Sequence, residues 1–92
     1  MAQITVRFYT TLREKIGKSK VSLNTPTVAQ ALEELKRQFG SRFTDQLYNS
    51  DGTIKNYYIL LLSGRSVDRK EIKKTALKEG DILHIFPPIA GG

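Results

Sequence analysis

The last seven residues of the sequence are Phe86-Pro87-Pro88-Ile89-Ala90-Gly91-Gly92. From Pro87 onward they directly follow a strand-like segment, Ile82-Leu83-His84-Ile85-Phe86, and this order determines the fold and the domain boundary that we predict. Proline has no backbone N–H and fixes φ at about −65°, so the strand predicted at residues 82–86 ends at Phe86. Glycine has no Cβ, which allows the last two residues to approach another surface closely, as in a narrow channel. If extended, residues 87–92 would reach roughly 20 Å, at about 3.3–3.6 Å per residue. The sequence therefore predicts a domain over residues 1–86 and an extended C-terminal tail over residues 87–92.

This tail has two interpretations. Chain termini are generally poorly ordered, so a final glycine pair can be no more than a frayed end. However, the glycines follow closely after a strand and a Pro-Pro pair, with no Ser- or Lys-rich linker. A slender segment that ends in a free carboxylate and has this reach suits insertion into the active site of a partner protein.

The composition argues against a self-contained enzyme. The chain has 92 residues, enough for one domain with a single core. It has no Cys, which excludes disulfides, thiolate nucleophiles, zinc ribbons and iron–sulfur ligation. Its one histidine, His84, makes neither a two-histidine metal site nor a Ser-His-Asp triad easy to build. We therefore expect no bound cofactor and no metal, and we interpret His84 as a surface residue rather than a catalytic base.

The hydropathy and the charge of the chain limit where in the cell we expect it and which partners we expect it to bind. No apolar run approaches the length of a membrane span and no signal peptide is apparent, so a soluble, cytoplasmic protein is expected. Fifteen Lys and Arg against nine Asp and Glu give a net charge of +6, which raises nucleic-acid binding as an alternative. Acids are interspersed among the bases, and no aromatic-rich strand of the RNA-binding kind accompanies them. We therefore expect no specific nucleic-acid binding; the basic residues are interpreted mostly as solvated surface, and some as contacts with an acidic partner.

The first half of the chain predicts two strands and a long helix. Apolar residues alternate over residues 3–9 and 20–24, the period of strands with one covered face, and the intervening residues 10–17 predict a helical turn. Thr27, with Gln30 three residues later, predicts the start of an amphipathic helix. Gly40 stands where a left-handed C-cap would end that helix.

The second half predicts a short helix followed by three strands. The helix is expected over residues 41–49. Residues 57–62 form an apolar run without alternation, which is typical of a central strand covered on both faces. Shorter strands are expected around residues 65–67 and 82–86.

These elements match an α+β fold of the β-grasp type, with a mixed sheet of four to five strands, one main helix on one face and a flexible Gly-Gly tail. Leu83 and Ile85 would face the helix, so His84 and Phe86, which alternate with them, would lie on the open face. Uncovered aromatic residues on a basic sheet are typical of partner binding. The predicted docking residues are Arg7, Tyr9, His84 and Phe86.

Three segments of the chain resemble a known family. The ending from Leu83 to Gly92, the preceding Leu77-Lys78-Glu79-Gly80-Asp81 turn, and the opening Val6-Arg7-Phe8 with Leu12-Arg13-Glu14 resemble the MoaD-type small subunit of molybdopterin synthase. That family includes archaeal small modifier proteins and is related to the thiamine sulfur carrier ThiS; the ending is also similar to that of ubiquitin. Many members carry Asn-Gly where this chain has Ser63 and Gly64. The segment 40–56 is longer than in ThiS-like chains, which favours the molybdopterin or archaeal modifier branch.

The resemblance implies a sulfur carrier. A MoeB or ubiquitin-activating type of enzyme would use ATP to adenylate Gly92, and a persulfide donor would then convert it to a thiocarboxylate. Inside a MoaE-type large subunit, the thiocarboxylate would give its sulfur to a pyranopterin precursor and build the dithiolene of molybdopterin. The chain, a monomer alone or part of a heterotetramer with that subunit, would supply no catalytic side chain. In the tail, Gly91 would permit passage through the partner's channel, and the residues that lead up to it are Pro87, Pro88, Ile89 and Ala90.

Two related alternatives stay open at this point. The same activated Gly92 transferred to a lysine amine would make the chain a ubiquitin-like protein modifier. A ThiS-like role in thiamine synthesis would use the same thiocarboxylate with a different acceptor.

Overall fold

The structure, a computed structural model, describes residues 2–87. The predictions for Pro88, Ile89, Ala90, Gly91 and Gly92 lie outside these residues. In chain order the elements are β1 (Ala2–Phe8), α1 (Thr10–Ile16), β2 (Lys20–Thr25), α2 (Val28–Phe39), α3 (Ser41–Leu47), β3 (Ile59–Leu62), β4 (Arg65–Ser66), a 3₁₀ helix (Arg69–Glu71) and β5 (Ile82–Phe86).

The strands form one mixed sheet in the order β2-β1-β5-β3-β4. β5 pairs in parallel with β1, whereas the β1–β2, β3–β5 and β3–β4 pairs are antiparallel. The last strand of the chain therefore lies in the middle of the sheet. This confirms the predicted α+β class and the β-grasp arrangement.

Local sequence explains where the first two helices begin and end. α1 buries Leu12 and Ile16 and ends at Gly17, whose positive φ of 85° lets its N–H donate to the carbonyl of Arg13 over 2.8 Å. α2 begins as predicted, because the Thr27 side chain accepts a hydrogen bond from the Gln30 N–H over 3.2 Å.

The prediction of a left-handed C-cap at Gly40 is wrong in part. Gly40 has a positive φ of 57°, but its ψ of −132° lies far from the left-handed helical region. The reason is that the chain does not leave the helix into a loop: α3 begins at the next residue, so Gly40 acts as a sharp bend between two helices. This conformation is open to glycine because it has no Cβ.

The prediction that residues 57–62 form a central strand covered on both faces is also wrong. The strand begins only at Ile59 and lies second from the edge of the sheet, while β5 takes the central place. Leu60 is buried, whereas the Ile59 side chain next to it is 53% exposed. One side of this apolar run faces the core and the other side faces outward.

A single core lies between the helices and one face of the sheet. β1 contributes every second residue to it, as the alternation predicted. Within residues 2–87 no helix has the length and apolar character that a membrane span requires. The most deeply buried side chains are Ile4, Val6, Phe8, Leu12, Val28, Leu32, Leu35, Phe43, Leu47, Leu60, Leu83 and Ile85.

Candidate functional site

The open face of the sheet brings the predicted docking residues together. β5 places His84 opposite Arg7 of β1 on one side and opposite Leu61 of β3 on the other. Phe86, two residues further along, lies opposite Ile59 and shares the face of His84 because strand side chains alternate. The face therefore consists of residues that are far apart in sequence and adjacent in the sheet.

Tyr9, His84 and Phe86 form an aromatic cluster at one end of this face. The rings of Tyr9 and Phe86 are stacked, with centroids 4.4 Å apart, and those of His84 and Phe86 are 5.9 Å apart. The Tyr9 hydroxyl and His84 Nδ1 are hydrogen bonded at 2.6 Å. All three side chains are partly buried. The cluster is thus a preformed surface, in which the imidazole is held by neighbouring groups.

Two exposed apolar side chains, Ile59 and Ile82, extend this surface, and Tyr57 precedes β3 by two residues. Ile59 is 53% exposed, Tyr57 49% and Ile82 37%, and among residues 2–87 these are the large hydrophobic side chains that are exposed. Ile82 and Ile59 share the face of Phe86, since Ile82 lies four residues before it on β5 and Ile59 lies opposite it on β3. Clustered apolar exposure of this kind on a small domain is typical of a binding surface.

The exposed Ile59 and Tyr57 were missed by sequence reasoning. Both belong to the apolar run of residues 57–62, which was interpreted as covered on both faces. No signal within the run separates Ile59 from Leu60, because both are apolar and only the folded sheet shows which of them faces the core. Ile82, at the start of β5, is also exposed on this face, whereas the docking residues predicted on this strand are His84 and Phe86 alone.

The charge of the open face is positive. By strand alternation, its positions on β1 and β2 include Arg7 and Lys20, which are paired across the two strands. None of the open-face positions on the described strands is Asp or Glu. The complementary surface of a partner would be apolar in its centre and acidic towards the β2 side.

The chain reaches the tail at the aromatic end of this face. Pro87 directly follows Phe86 and is itself buried, and the boundary between domain and tail after residue 86 stays a prediction. The roles predicted for Pro87 in the tail and for the docking residues also stay predictions. Within the described range, no group of three or more His, Asp or Glu side chains could hold a metal ion.

Comparison with known proteins gives the family. The model of the ThiS family matches residues 6–92. The chain belongs to the ThiS family. This family match and the β-grasp fold together make it a member of the ThiS/MoaD-like group of ubiquitin-like sulfur carriers and modifiers.

Individual relatives agree with this assignment. The chain is 31% identical to small archaeal modifier protein 3 of Haloferax volcanii, over 98% of this chain and 99% of that protein. Its structure is similar to that of small archaeal modifier protein 1 from the same organism, with a TM-score of 0.86, 23% identity and coverage of 99% and 100% of the two chains. It is also similar to a chain in the complex of subunits 1 and 2 of the molybdopterin-converting factor from Helicobacter pylori, with a TM-score of 0.65, 19% identity and coverage of 98% and 99%. The last two similarities concern the fold.

Proposed function

We propose that the chain is a sulfur carrier and acts as the small subunit of molybdopterin synthase, with Gly92 as the reacting residue. The observation that carries the sulfur-carrier part of this proposal is the ThiS family match, which extends through residue 92 and so includes the Gly-Gly ending. The choice of molybdopterin synthase rests on the resemblance of the ending from Leu83 to Gly92 to the MoaD-type small subunit. The fold supports it, because the central strand of the sheet leads into that ending beside an apolar, basic face.

The chemistry requires activation of the terminal carboxylate. A carboxylate is a poor electrophile, so a partner enzyme first joins it to AMP from ATP, with release of pyrophosphate. The terminal sulfur of a persulfide then attacks the acyl carbon and displaces AMP. A thiol next reduces the resulting acyl disulfide, which leaves the thiocarboxylate on Gly92. The thiocarboxylate sulfur finally attacks a carbon of the pyranopterin precursor and displaces an oxygen substituent. Water then hydrolyses the resulting thioester, which leaves the sulfur on the precursor and returns Gly92 to a carboxylate.

In this proposal the chain binds and positions, and its partners do the catalysis. ATP binds to the adenylating enzyme of MoeB or ubiquitin-activating type, and this chain holds no cofactor. The cluster of Tyr9, His84 and Phe86, with the exposed Ile59, docks on that enzyme and on the MoaE-type large subunit. Gly91 passes through the narrow part of the partner's channel, where a Cβ would collide.

Intact-mass analysis tests the proposal. We would co-express the full chain with its adenylating enzyme and a persulfide donor, and expect replacement of one oxygen by one sulfur at the C-terminus. Deletion of Gly92 should abolish this mass change, and Gly91→Trp should block sulfur transfer to the precursor. Neither variant should alter the thermal unfolding temperature. Molybdopterin formation by the Gly92 deletion would refute the proposal.

A second function is favoured by one specific observation, the similarity to small archaeal modifier protein 3 over nearly the whole of both chains. A modifier would transfer the same activated Gly92 to a lysine amine, with release of AMP. A lysate from cells that express the tagged chain would then show a ladder of larger conjugates, lost in the Gly92 deletion. The thiamine-type alternative predicts instead that a thiamine biosynthetic enzyme co-purifies with the chain.

A further inference from the structure

A second surface lies on the helix side of the sheet, opposite the docking face. It is a groove of about 790 Å³ between α2, the loop of residues 48–56 and the segment that follows β4. Its apolar lining comes from Ala29 and Leu32 of α2, Ile54 of the loop and Ile72 of the last segment. These residues are distant in sequence, so the groove exists only in the folded chain.

The charge around this groove is strongly positive. Four cations line it, and the carboxylate that lines it, Glu33, is already paired with Lys36 at 2.8 Å. The other three cations have no ion-pair partner among residues 2–87, and Arg69 Nη1 is buried without a hydrogen-bond acceptor there. The lining cations are Lys36, Arg69, Lys70 and Lys73.

Tyr48 gives the groove an aromatic wall. Lys36 Nζ lies 4.4 Å from the centroid of the Tyr48 ring, which holds that cation at the edge of the apolar floor. Burial raises the pKa of Tyr48 to about 12, with Glu33 adding to the shift. Like an ordinary tyrosine hydroxyl, that of Tyr48 is protonated at neutral pH and can donate a hydrogen bond. The groove thus combines an apolar floor with donors and cations around it.

We propose that this groove binds an acidic peptide segment of a partner protein, with an apolar side chain of that segment on the floor between Ile54 and Ile72. Charge complementarity supports this occupant, because the three unpaired cations follow one side of an apolar floor. A bound phosphate would need donors that converge on one point. Here Lys36 projects from α2 while the other cations come from the segment across the groove, which suits carboxylates spaced along a peptide.

The position of the groove allows it to be occupied together with the docking face. α2 covers one face of the sheet, and the aromatic cluster lies on the other. A partner on the groove would therefore leave Tyr9, His84 and Phe86 accessible. The inference does not depend on the chemistry proposed for Gly92.

An NMR titration of the ¹⁵N-labelled full chain tests the inference. The probe is a capped peptide of alternating glutamate and leucine, and the controls are peptides in which serine replaces leucine or lysine replaces glutamate. We expect amide shifts in residues 48–56 and 69–73 with the probe, and much weaker binding of both controls. Shifts centred on residues 82–86, or equal binding of the serine peptide, would overturn the proposal.

A matched pair of charge variants separates the groove from general electrostatic attraction. Lys70→Glu with Lys73→Glu changes two exposed residues at the groove and should weaken probe binding at least about tenfold. Lys18→Glu with Lys78→Glu makes the same change in net charge at exposed residues outside the groove and should weaken it far less. Thermal unfolding checks that both variants fold. Equal weakening by the two variants, or tighter binding of AMP or inorganic phosphate than of the peptide, would contradict the proposal.

Discussion

The two faces of the sheet differ although the same strands build them. On β5, Leu83 and Ile85 are fully buried in the core, whereas Phe86 and the 37% exposed Ile82 lie on the open face. Both faces are apolar at this strand, so hydrophobicity alone does not distinguish core from binding surface. The difference is that the helices pack on one face of the sheet and leave the other face open, where we propose that a partner binds.

The largest effect expected from this difference is on stability. Leu83→Ala removes a side chain that is 0% exposed, and should lower the free energy of unfolding by about 2–5 kcal/mol through lost burial and a residual cavity. Urea unfolding measures the change. The matched control is Ile82→Ala, one residue away on the open face, for which we expect a smaller loss of about 1–2 kcal/mol, without a core cavity, because its side chain is already partly solvated. Similar losses in the two variants would show that the faces are not separated in the way described.

The second effect concerns affinity, and it should appear on the open face alone. Ile59→Glu places a charge opposite Phe86, at the aromatic end of the exposed apolar surface, and should weaken binding to the proposed adenylating enzyme at least about tenfold, or about 1.4 kcal/mol. Titration calorimetry with that enzyme measures it. Gln30→Glu adds the same charge at an exposed position in the first turn of α2, where the helix dipole accommodates it, and should leave the affinity unchanged. If Gln30→Glu weakened binding as much, the partner would be docking on the helix side.

The strands and helices with one side deeply buried in the core could be predicted from the sequence. β1 alternates because one of its faces packs in the core, and α2 shows both its apolar stripe and the Thr27 cap that begins it. In these two segments the spacing of the apolar residues follows from which side of the strand or helix packs in the core. The predicted meeting of Tyr9 with His84 and Phe86 followed from the same alternation, once the two strands were taken as neighbours.

The structural features that could not be predicted depend on which other elements pack against a segment, and not on the residues within that segment. Ile59 and Leu60 are equally apolar but point to opposite faces of the sheet, and the helices cover only the face of Leu60. The groove likewise brings Ile54 and Ile72 against α2 from separate parts of the chain. Neither feature produces a periodic pattern of apolar residues, so neither can be predicted from one sequence.

The smallest effect tests whether the open face is a rigid surface. Tyr9→Phe removes the hydroxyl that is bonded to His84 Nδ1 at 2.6 Å but keeps a ring to stack on Phe86. Because the bond is partly buried, we expect a loss of about 0.5–1.5 kcal/mol in the free energy of unfolding.

Tyr57→Phe provides the control for this change. The Tyr57 side chain is 49% exposed, and its hydroxyl has no hydrogen-bond partner among residues 2–87, so its loss should change stability by less than about 0.5 kcal/mol. Chemical denaturation of both variants makes the comparison. Equal changes would mean that the Tyr9–His84 bond adds nothing to the stability of the face. A larger loss at Tyr9 alone would indicate that the aromatic cluster is held in place before a partner arrives, which lowers the entropy that binding must overcome.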